Sequence, residues 1–140
     1  MTKKVPLLLL LIACLSACSS NKQKNGCGVQ TCTLEYAYIG ILFKDQQNKF
    51  PPLKDVSMIN LRTNKPLTPV LYPPNIDFVA GYTLITSDGN IKDFSTDGDD
   101  VKISATNSET NQTKTAILKI AGGCGCHVSK KSGPDTIVFD

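Results

Sequence analysis

A cysteine- and histidine-rich segment near the end of the chain contains the residue types best suited to chemistry. It reads Gly122-Gly123-Cys124-Gly125-Cys126-His127, and Cys27 and Cys32 lie near the other end of the chain. Four thiols and one imidazole can hold zinc or copper(I), form two disulfides or carry out thiol redox chemistry. The spacing differs from that of a zinc ribbon. Redox catalysts typically place Cys-x-x-Cys at the start of a helix, a pattern that this sequence lacks.

The beginning of the chain decides among these alternatives, because it predicts export. Two lysines precede an apolar run over residues 5–13, and Leu15-Ser16-Ala17-Cys18 follows. This pattern resembles a bacterial lipobox, with small residues before the cut and a cysteine that accepts the lipid. The apolar run is shorter than the ~20 residues that a bilayer-spanning helix needs. We therefore predict that residues 1–17 are a signal peptide and that Cys18 anchors the chain to a membrane. An ordinary secretory signal with a chance cysteine is the alternative.

The segment after the predicted lipid site indicates where the anchored domain resides. Residues 18–26 are small and polar, which predicts a flexible tether. No aspartate follows Cys18, and no acidic run is present, so resemblance to known lipoprotein sorting rules favours the outer membrane, with the domain facing the periplasm. Two of the 15 basic residues lie in the signal, which leaves 13 against 12 acidic ones. So balanced a charge predicts no nucleic-acid partner; the expected partners are the membrane and, as a candidate, an envelope protein.

An oxidising compartment predicts that the four remaining cysteines form two disulfides. A bond within Cys124-Gly125-Cys126 would be strained, so we expect Cys27 and Cys32 to pair with the two cysteines near the other end. His127 is the only histidine, and neither a Gly-x-Ser-x-Gly nor a His-Glu-x-x-His motif is present. The sequence therefore predicts no catalytic residues, no resident metal and no cofactor.

The rest of the sequence predicts a domain over residues 27–140 built from short strands. Apolar residues recur with a period of two, and turn-forming residues separate the runs. The expected strands cover residues 33–43, 56–62, 78–86, 91–94, 101–105, 113–120 and 136–139. Seven or so strands with no helical period predict an all-β, antiparallel sandwich.

An acidic turn within this domain resembles half of a calcium-binding loop. Asp93-Phe94-Ser95-Thr96-Asp97-Gly98-Asp99 places oxygen ligands at positions one, three and five and glycine at six. Position twelve is Ser104, where such a loop needs a bidentate glutamate. We therefore predict a plain turn.

The two ends of the domain resemble those of small Bacteroidota lipoproteins. The resemblance rests on Cys32-Thr33, Lys44-Asp45, Cys126-His127-Val128 and Lys131-Ser132-Gly133. The domains of those lipoproteins are similar to carboxypeptidase-regulatory-like or transthyretin-like sandwiches, so the resemblance implies an immunoglobulin-like or transthyretin-like fold.

The same resemblance carries expectations about the cysteines and about function. It implies a Cys32–Cys126 disulfide, and the extra Cys27 and Cys124 would then form a second bridge beside it. It brings no catalytic residues. We expect a non-enzymatic accessory or binding module of the cell envelope; the alternative is a zinc- or copper-binding envelope protein that uses the Cys-x-Cys-His cluster.

Overall fold

The computed structural model describes residues 27–68, 70–73 and 77–140. The predicted signal peptide, Cys18 and the tether lie outside these residues. The described part of the chain contains eight strands and one 3₁₀ helix. The strands are β1 (Tyr38–Asp45), β2 (Leu53–Asn60), β3 (Lys65–Pro66), β4 (Tyr82–Ser87), β5 (Asp99–Asn107), β6 (Thr113–Ala121), β7 (Ser129–Ser132) and β8 (Thr136–Phe139), and the 3₁₀ helix spans Asp88–Asp93.

The strands form two sheets that pack face to face, which confirms the predicted all-β sandwich. One sheet has three strands in the order β4-β1-β8, and the other has five in the order β3-β2-β5-β6-β7. Neighbouring strands are antiparallel, with one exception: β8 runs parallel to β1, pairing Leu42 with Thr136 and Asp45 with Phe139. The last strand therefore closes the smaller sheet beside the first one.

Alternating apolar side chains from both sheets fill the core. In β1 the inward side chains are Ile39, Ile41 and Phe43, and their neighbours along the strand are less buried. The corresponding buried residues of the later strands are Val101, Ile103, Ala105, Leu118, Ile120, Ile137 and Phe139. The rings of Phe43 and Phe139 stack with their centroids 6.2 Å apart. Burial of each large side chain of this kind contributes about 1.5–3 kcal/mol, so the alternation read from the sequence is the main source of stability.

The observed strands depart from the predicted ones where backbone and polar contacts outweigh side-chain pattern. Residues 33–37, predicted to begin the first strand, precede β1 and are irregular. Residues 91–94, predicted as a strand, lie in and just after the 3₁₀ helix, where Ile91 O accepts a hydrogen bond from Gly123 N at 2.8 Å. Strand β7 was not predicted, because Ser-Lys-Lys-Ser has no apolar alternation; it forms by pairing with β6 at the sheet edge.

Strand β2 is also displaced from its predicted position. It begins at Leu53 rather than residue 56, and its pairing with β5 shifts between Lys54 and Ser57. Asp55 lies at this irregularity with a φ of 52°. The shift is a local bulge that leaves Val56 exposed, so the simple alternation expected for this strand does not hold there.

Candidate functional site

Both disulfides join the irregular start of the domain to the segment between β6 and β7. Cys27 is bonded to Cys124, and Cys32 to Cys126, with Cα–Cα distances of 5.1 and 5.3 Å. The pairing connects the two ends of the domain, as expected from the strain of a Cys-x-Cys bond. The Cys32–Cys126 bond is the pair that the family resemblance implied, and Cys27–Cys124 is the additional bridge beside it.

His127 connects the same two segments through hydrogen bonds. Its Nδ1 lies 2.6 Å from Asp88 Oδ2, and its Nε2 lies 2.9 Å from Thr33 Oγ1. An ionised carboxylate can only accept a hydrogen bond, so Nδ1 carries the proton that it donates to Asp88. In the neutral ring, Nε2 then accepts the hydrogen bond from the Thr33 hydroxyl.

Asp88 lies at the centre of this arrangement and receives three hydrogen bonds. Besides His127, the backbone N–H of Ala37 donates to Oδ2 at 2.8 Å and that of Val128 donates to Oδ1 at 2.7 Å. Partial burial by itself raises the pKa of Asp88, but these hydrogen bonds together outweigh it, so the pKa lies below its ordinary value. Asp88 is therefore ionised at neutral pH and holds three separate segments together.

Tyr36 adds a further attachment to the start of the 3₁₀ helix. Its hydroxyl accepts a hydrogen bond from Gly89 N at 2.8 Å and lies 3.1 Å from Ser87 Oγ. We call residues 27–37, together with Asp88 and residues 124–128, the N-terminal clasp. Two covalent bonds and this set of hydrogen bonds hold an otherwise irregular segment against the sandwich.

The clasp contains a hydroxyl, an imidazole and a carboxylate in the order used by nucleophilic hydrolases. In such enzymes the hydroxyl group attacks a substrate held beside it, in a site that also supplies donors for the oxyanion. Thr33, His127 and Asp88 have the right order, but none of the three lines either of the clefts described below. Within the fold, the visible effect of these contacts is to fasten the start of the domain.

The thiolate metal site that the sequence left open requires free cysteines. In this structure all four Sγ atoms near His127 are in disulfides, so the oxidised protein offers no thiolate ligand there. Within residues 27–68, 70–73 and 77–140, no three histidine, cysteine, aspartate or glutamate side chains converge as a metal site. A thiolate-bound metal would therefore need the reduced protein.

Asp99, at the end of the predicted acidic turn, is buried. Its carboxylate is bound by side chains of the protein and does not face solvent as a ligand of an open loop would. Asn60 Nδ2 and Arg62 Nε both donate to its carboxylate at 2.7 Å, and Ser95 Oγ donates at 2.6 Å. Burial alone would raise the pKa of Asp99, but the hydrogen bonds from Arg62, Ser95 and Asn60 lower it well below the ordinary value. Ser95, at position three of the calcium-loop pattern, therefore has its side chain committed to this cluster.

Five aromatic side chains form a second notable feature on the three-stranded sheet. All four tyrosines of the chain belong to it, and Phe78 lies at its centre. The centroid of the Phe78 ring is 6.0 Å from Tyr38, 5.4 Å from Tyr72 and 5.5 Å from Tyr82, and Tyr36 lies 5.0 Å from Tyr38. We call these five residues the aromatic surface. Tyr36 and Tyr72 are each more than half exposed.

The backbone fixes two of these rings in place. The Tyr82 ring lies against Gly40, where an added Cβ would come within 2.4 Å of Cε1, so only glycine leaves space for it. The Tyr72 hydroxyl donates to Tyr82 O at 3.1 Å and accepts from Leu84 N at 3.2 Å, which occupies backbone groups at the free edge of β4. The aromatic surface is thus a preorganised arrangement rather than a group of mobile side chains.

Two clefts lie near β2 and β3, apart from both the clasp and the aromatic surface. The first, of about 480 Å³, is mostly apolar and is bordered by residues such as Met58, Leu67 and Ile85. The second, of about 310 Å³, has Arg62, Lys65 and Lys92 among its lining residues. Arg62 is already paired with Asp99 at 2.7 Å, so part of the positive charge in the second cleft is neutralised within the protein.

The structure shows what the sequence pattern could and could not reveal about these sites. The cysteines and His127 were singled out and do lie together, whereas Cys18 lies outside the described residues. Asp88 is followed by Gly89, a pair typical of a turn, which gives no sign of its role in the clasp. Tyr36 and Tyr38 alternate with the inward Ile39, which is a detectable signal for an outward aromatic pair. Phe78 was predicted to begin a strand over residues 78–86, but that strand begins only at Tyr82, so Phe78 lies in the connection before β4.

No protein-family model, curated protein or solved structure is significantly similar to this chain. In the part of the chain that the structure describes, no helix has the length and apolar character needed to cross a bilayer. The family resemblance of the sequence therefore stays a prediction, and function has to be argued from the geometry of this chain.

Proposed function

We propose that this chain is a lipid-anchored, non-catalytic binding module of the bacterial cell envelope, and that the aromatic surface is where it binds. The observation that carries the proposal is the clustering of all four tyrosines of the chain with Phe78 beside the three-stranded sheet, where Tyr36 and Tyr72 are each more than half exposed. Apolar clusters that reach the surface commonly mark interaction sites on soluble domains. Tyrosine suits this role because its large ring buries much apolar area when a partner covers it.

The clasp supports the proposal through its position. It fixes residues 27–37, and this segment both follows the predicted tether and carries Tyr36 at one end of the aromatic surface. A domain tethered by lipid at Cys18 would therefore transmit tension into two disulfides rather than into a strand of the sandwich. This arrangement suits a module that stays attached to a membrane while holding a ligand.

The binding role can be tested in cells by site-specific photocrosslinking. A photoreactive phenylalanine analogue replaces Val79, which is 70% exposed and follows Phe78, or replaces Ile117, which is 51% exposed on the five-stranded sheet. We expect an adduct from position 79 that is lost when Phe78 is changed to alanine, and no adduct from position 117. Equal labelling from both positions, or none from position 79, would contradict a binding role for the aromatic surface.

The anchor is tested separately by changing Cys18 to alanine. We expect the parent protein to partition with membranes and into the detergent phase, and the variant to lose both properties. A variant that partitions like the parent would show that the lipobox interpretation is wrong.

The non-catalytic part of the proposal is tested at the clasp, because its three side chains have the order of a hydrolytic triad. Hydrolysis of p-nitrophenyl acetate is measured for the parent and for Thr33→Val and His127→Gln. We expect all three rates to equal the rate without enzyme. A parent rate above that background, lost in both variants, would instead show an esterase.

A further inference from the structure

The two clefts near β2 and β3 adjoin each other and differ in chemistry. They share the lining residues Pro66, Leu67 and Thr68, which form the end of β3 and the two positions after it. The larger cleft, of about 480 Å³, is lined by apolar side chains apart from Ser57 and Thr68, and none of the described residues that line it is charged. The smaller cleft, of about 310 Å³, is lined mainly by polar and charged side chains. Together the two clefts form one groove with an apolar half and a charged half.

The apolar half of the groove is open because the two sheets do not close at this edge of the sandwich. Strand β4 is the last strand of one sheet, and β3, which has only two residues, is the last strand of the other. Strand β3 pairs with Ile59 and Asn60 alone, so the earlier part of β2 has no neighbouring strand on that side. Val56, which is 42% exposed, and Met58 therefore border the groove from β2, and Ile85 borders it from β4. Apolar surface of this kind gains stability when an apolar ligand covers it.

The charged half of the groove has an excess of positive charge. Its lining includes Arg62, Lys65, Lys92 and one carboxylate, that of Asp93. Asp99 neutralises Arg62, because the two side chains form a salt bridge of 2.7 Å. Within the described part of the chain, Lys65 and Lys92 form no salt bridge, so two ammonium groups remain against one carboxylate. A cleft with this balance of charge attracts an anion.

A ligand that satisfies both halves of the groove must combine an apolar chain with an anionic group. We infer that the groove binds a single-chain lipid with an anionic head group, with its chain against Met58 and Ile85 and its head group beside Lys65 and Lys92. The volume of the apolar half lies within the range of about 300–1,000 Å³ that is typical of small-molecule sites. A free anion would leave the apolar half uncovered, and an uncharged hydrocarbon would leave both ammonium groups without a partner. The groove is a second site, separate from the aromatic surface of the proposed function.

Photolabelling of the full-length protein in phosphatidylcholine nanodiscs tests this inference. The probe is dodecyl phosphate with a diazirine at the end of its chain, used at a concentration at which labelling rises linearly. We expect peptide mapping to find adducts within residues 56–59, 66–68 or 84–85, which line the apolar half. An excess of unlabelled dodecyl phosphate should abolish this labelling, whereas the same concentration of inorganic phosphate or of dodecanol should leave most of it.

A pair of charge variants tests the head-group contacts. Lys65→Gln/Lys92→Gln removes two charges that line the groove, and Lys49→Gln/Lys131→Gln removes two exposed charges that do not line it. Both variants therefore change the net charge equally. We expect the first to reduce labelling about tenfold, equivalent to about 1.4 kcal/mol, and the second to label like the parent.

A second pair of variants tests the contacts of the chain. Val56→Asp places a carboxylate at the apolar half, whereas Ile117→Asp places one at a position of similar exposure, 51%, that does not line the groove. We expect about a tenfold loss of labelling in the first and none in the second. Because both positions are exposed, both variants should fold, and the urea midpoint of every variant checks this. If Val56→Asp unfolds, the lysine pair decides.

The possible results separate the lipid from other occupants of the groove. Full labelling of Lys65→Gln/Lys92→Gln, or equal competition by dodecanol, would overturn the inference in favour of an uncharged apolar ligand. Equal competition by inorganic phosphate would overturn it in favour of a free anion. Adducts confined to other residues, or no adducts, would exclude the lipid and leave the groove to a protein partner or to no ligand. The crosslink from position 79 reports on the aromatic surface alone, so failure of this inference and failure of the proposed function are distinguishable.

Discussion

Two disulfides that join the same two segments should contribute to stability in a strongly non-additive way. Cys27–Cys124 and Cys32–Cys126 each span more than 90 residues, with separations of 97 and 94. Either bridge alone therefore closes the long loop that contains most of the sandwich. Once one bridge is present, the other closes only the small ring formed by residues 27–32 and 124–126.

The magnitudes follow from loop-closure entropy in the unfolded chain. Closing a loop of roughly 95 residues stabilises the folded state by about 4–5 kcal/mol, whereas a ring of about nine residues contributes about 2–3 kcal/mol. Removing either bridge should thus cost about 2–3 kcal/mol, because the other bridge keeps the long loop closed. Removing both should cost about 7 kcal/mol, which is comparable to the whole stability of a small domain.

The measurement is urea denaturation of four proteins: the parent, Cys27→Ala/Cys124→Ala, Cys32→Ala/Cys126→Ala and the variant with all four substitutions. Non-reducing peptide mapping confirms which bridge each one retains. We expect the loss in the quadruple variant to exceed the sum of the two separate losses by about 2 kcal/mol. Strictly additive losses, or a single-bridge loss as large as the loss of both, would refute the argument that the two bridges share one long loop.

Three further predictions concern the core and the buried carboxylates. Ile103→Ala, at a fully buried position of β5, should destabilise the domain by about 2–5 kcal/mol in urea denaturation, whereas Ile117→Ala at an exposed position should change stability by no more than about 0.5 kcal/mol; similar losses would mean that the core is assigned to the wrong face. Asp99→Asn should cost about 2–3 kcal/mol, because Arg62 loses its partner and the buried cluster loses charged hydrogen bonds; a urea midpoint unchanged from the parent would contradict this. The pKa values of Asp88 and Asp99 are lower in the folded state than their ordinary value of 3.8, so the stability that they contribute is present above that pH and is lost as the pH falls below it. The urea midpoint should therefore fall between about pH 6 and about pH 3, and it should fall by less in Asp99→Asn than in the parent. Equal falls in the two proteins would show that Asp99 does not contribute to the pH dependence.

The sequence predicted those parts of the fold that depend on apolar alternation. Strand β5, with Val101, Ile103 and Ala105 facing inward, was expected from period-two pattern alone, and β8 was expected with its observed limits. A side-chain pattern of this kind is local, so it can be read without knowing the partner strand. The parallel pairing of β8 with β1 could not be read, since it depends on how distant segments meet.

Where the prediction from the sequence failed, contacts between residues far apart in the chain determine the structure. Residues 33–37 have strand-forming side chains, but Asp88, far along the chain, binds Ala37 N, and Thr33 lies beside His127. The same is true of the aromatic surface: Tyr36 and Tyr38 had a visible outward alternation, whereas Phe78 and Tyr72 reach it from the connection between sheets. Short-range propensity gives no information about such contacts.

The central claim, that the aromatic surface is where this protein binds its ligand, is tested most directly in cells by photocrosslinking from position 79. The experiment compares the parent with Tyr38→Ala, which removes one ring of the surface, and with Ile117→Ala, which shortens an exposed side chain on the other sheet. The urea midpoint of each variant establishes that it folds. The account predicts an adduct in the parent and in Ile117→Ala and its loss in Tyr38→Ala. An adduct of unchanged yield in Tyr38→Ala, or no adduct in the parent, would contradict it.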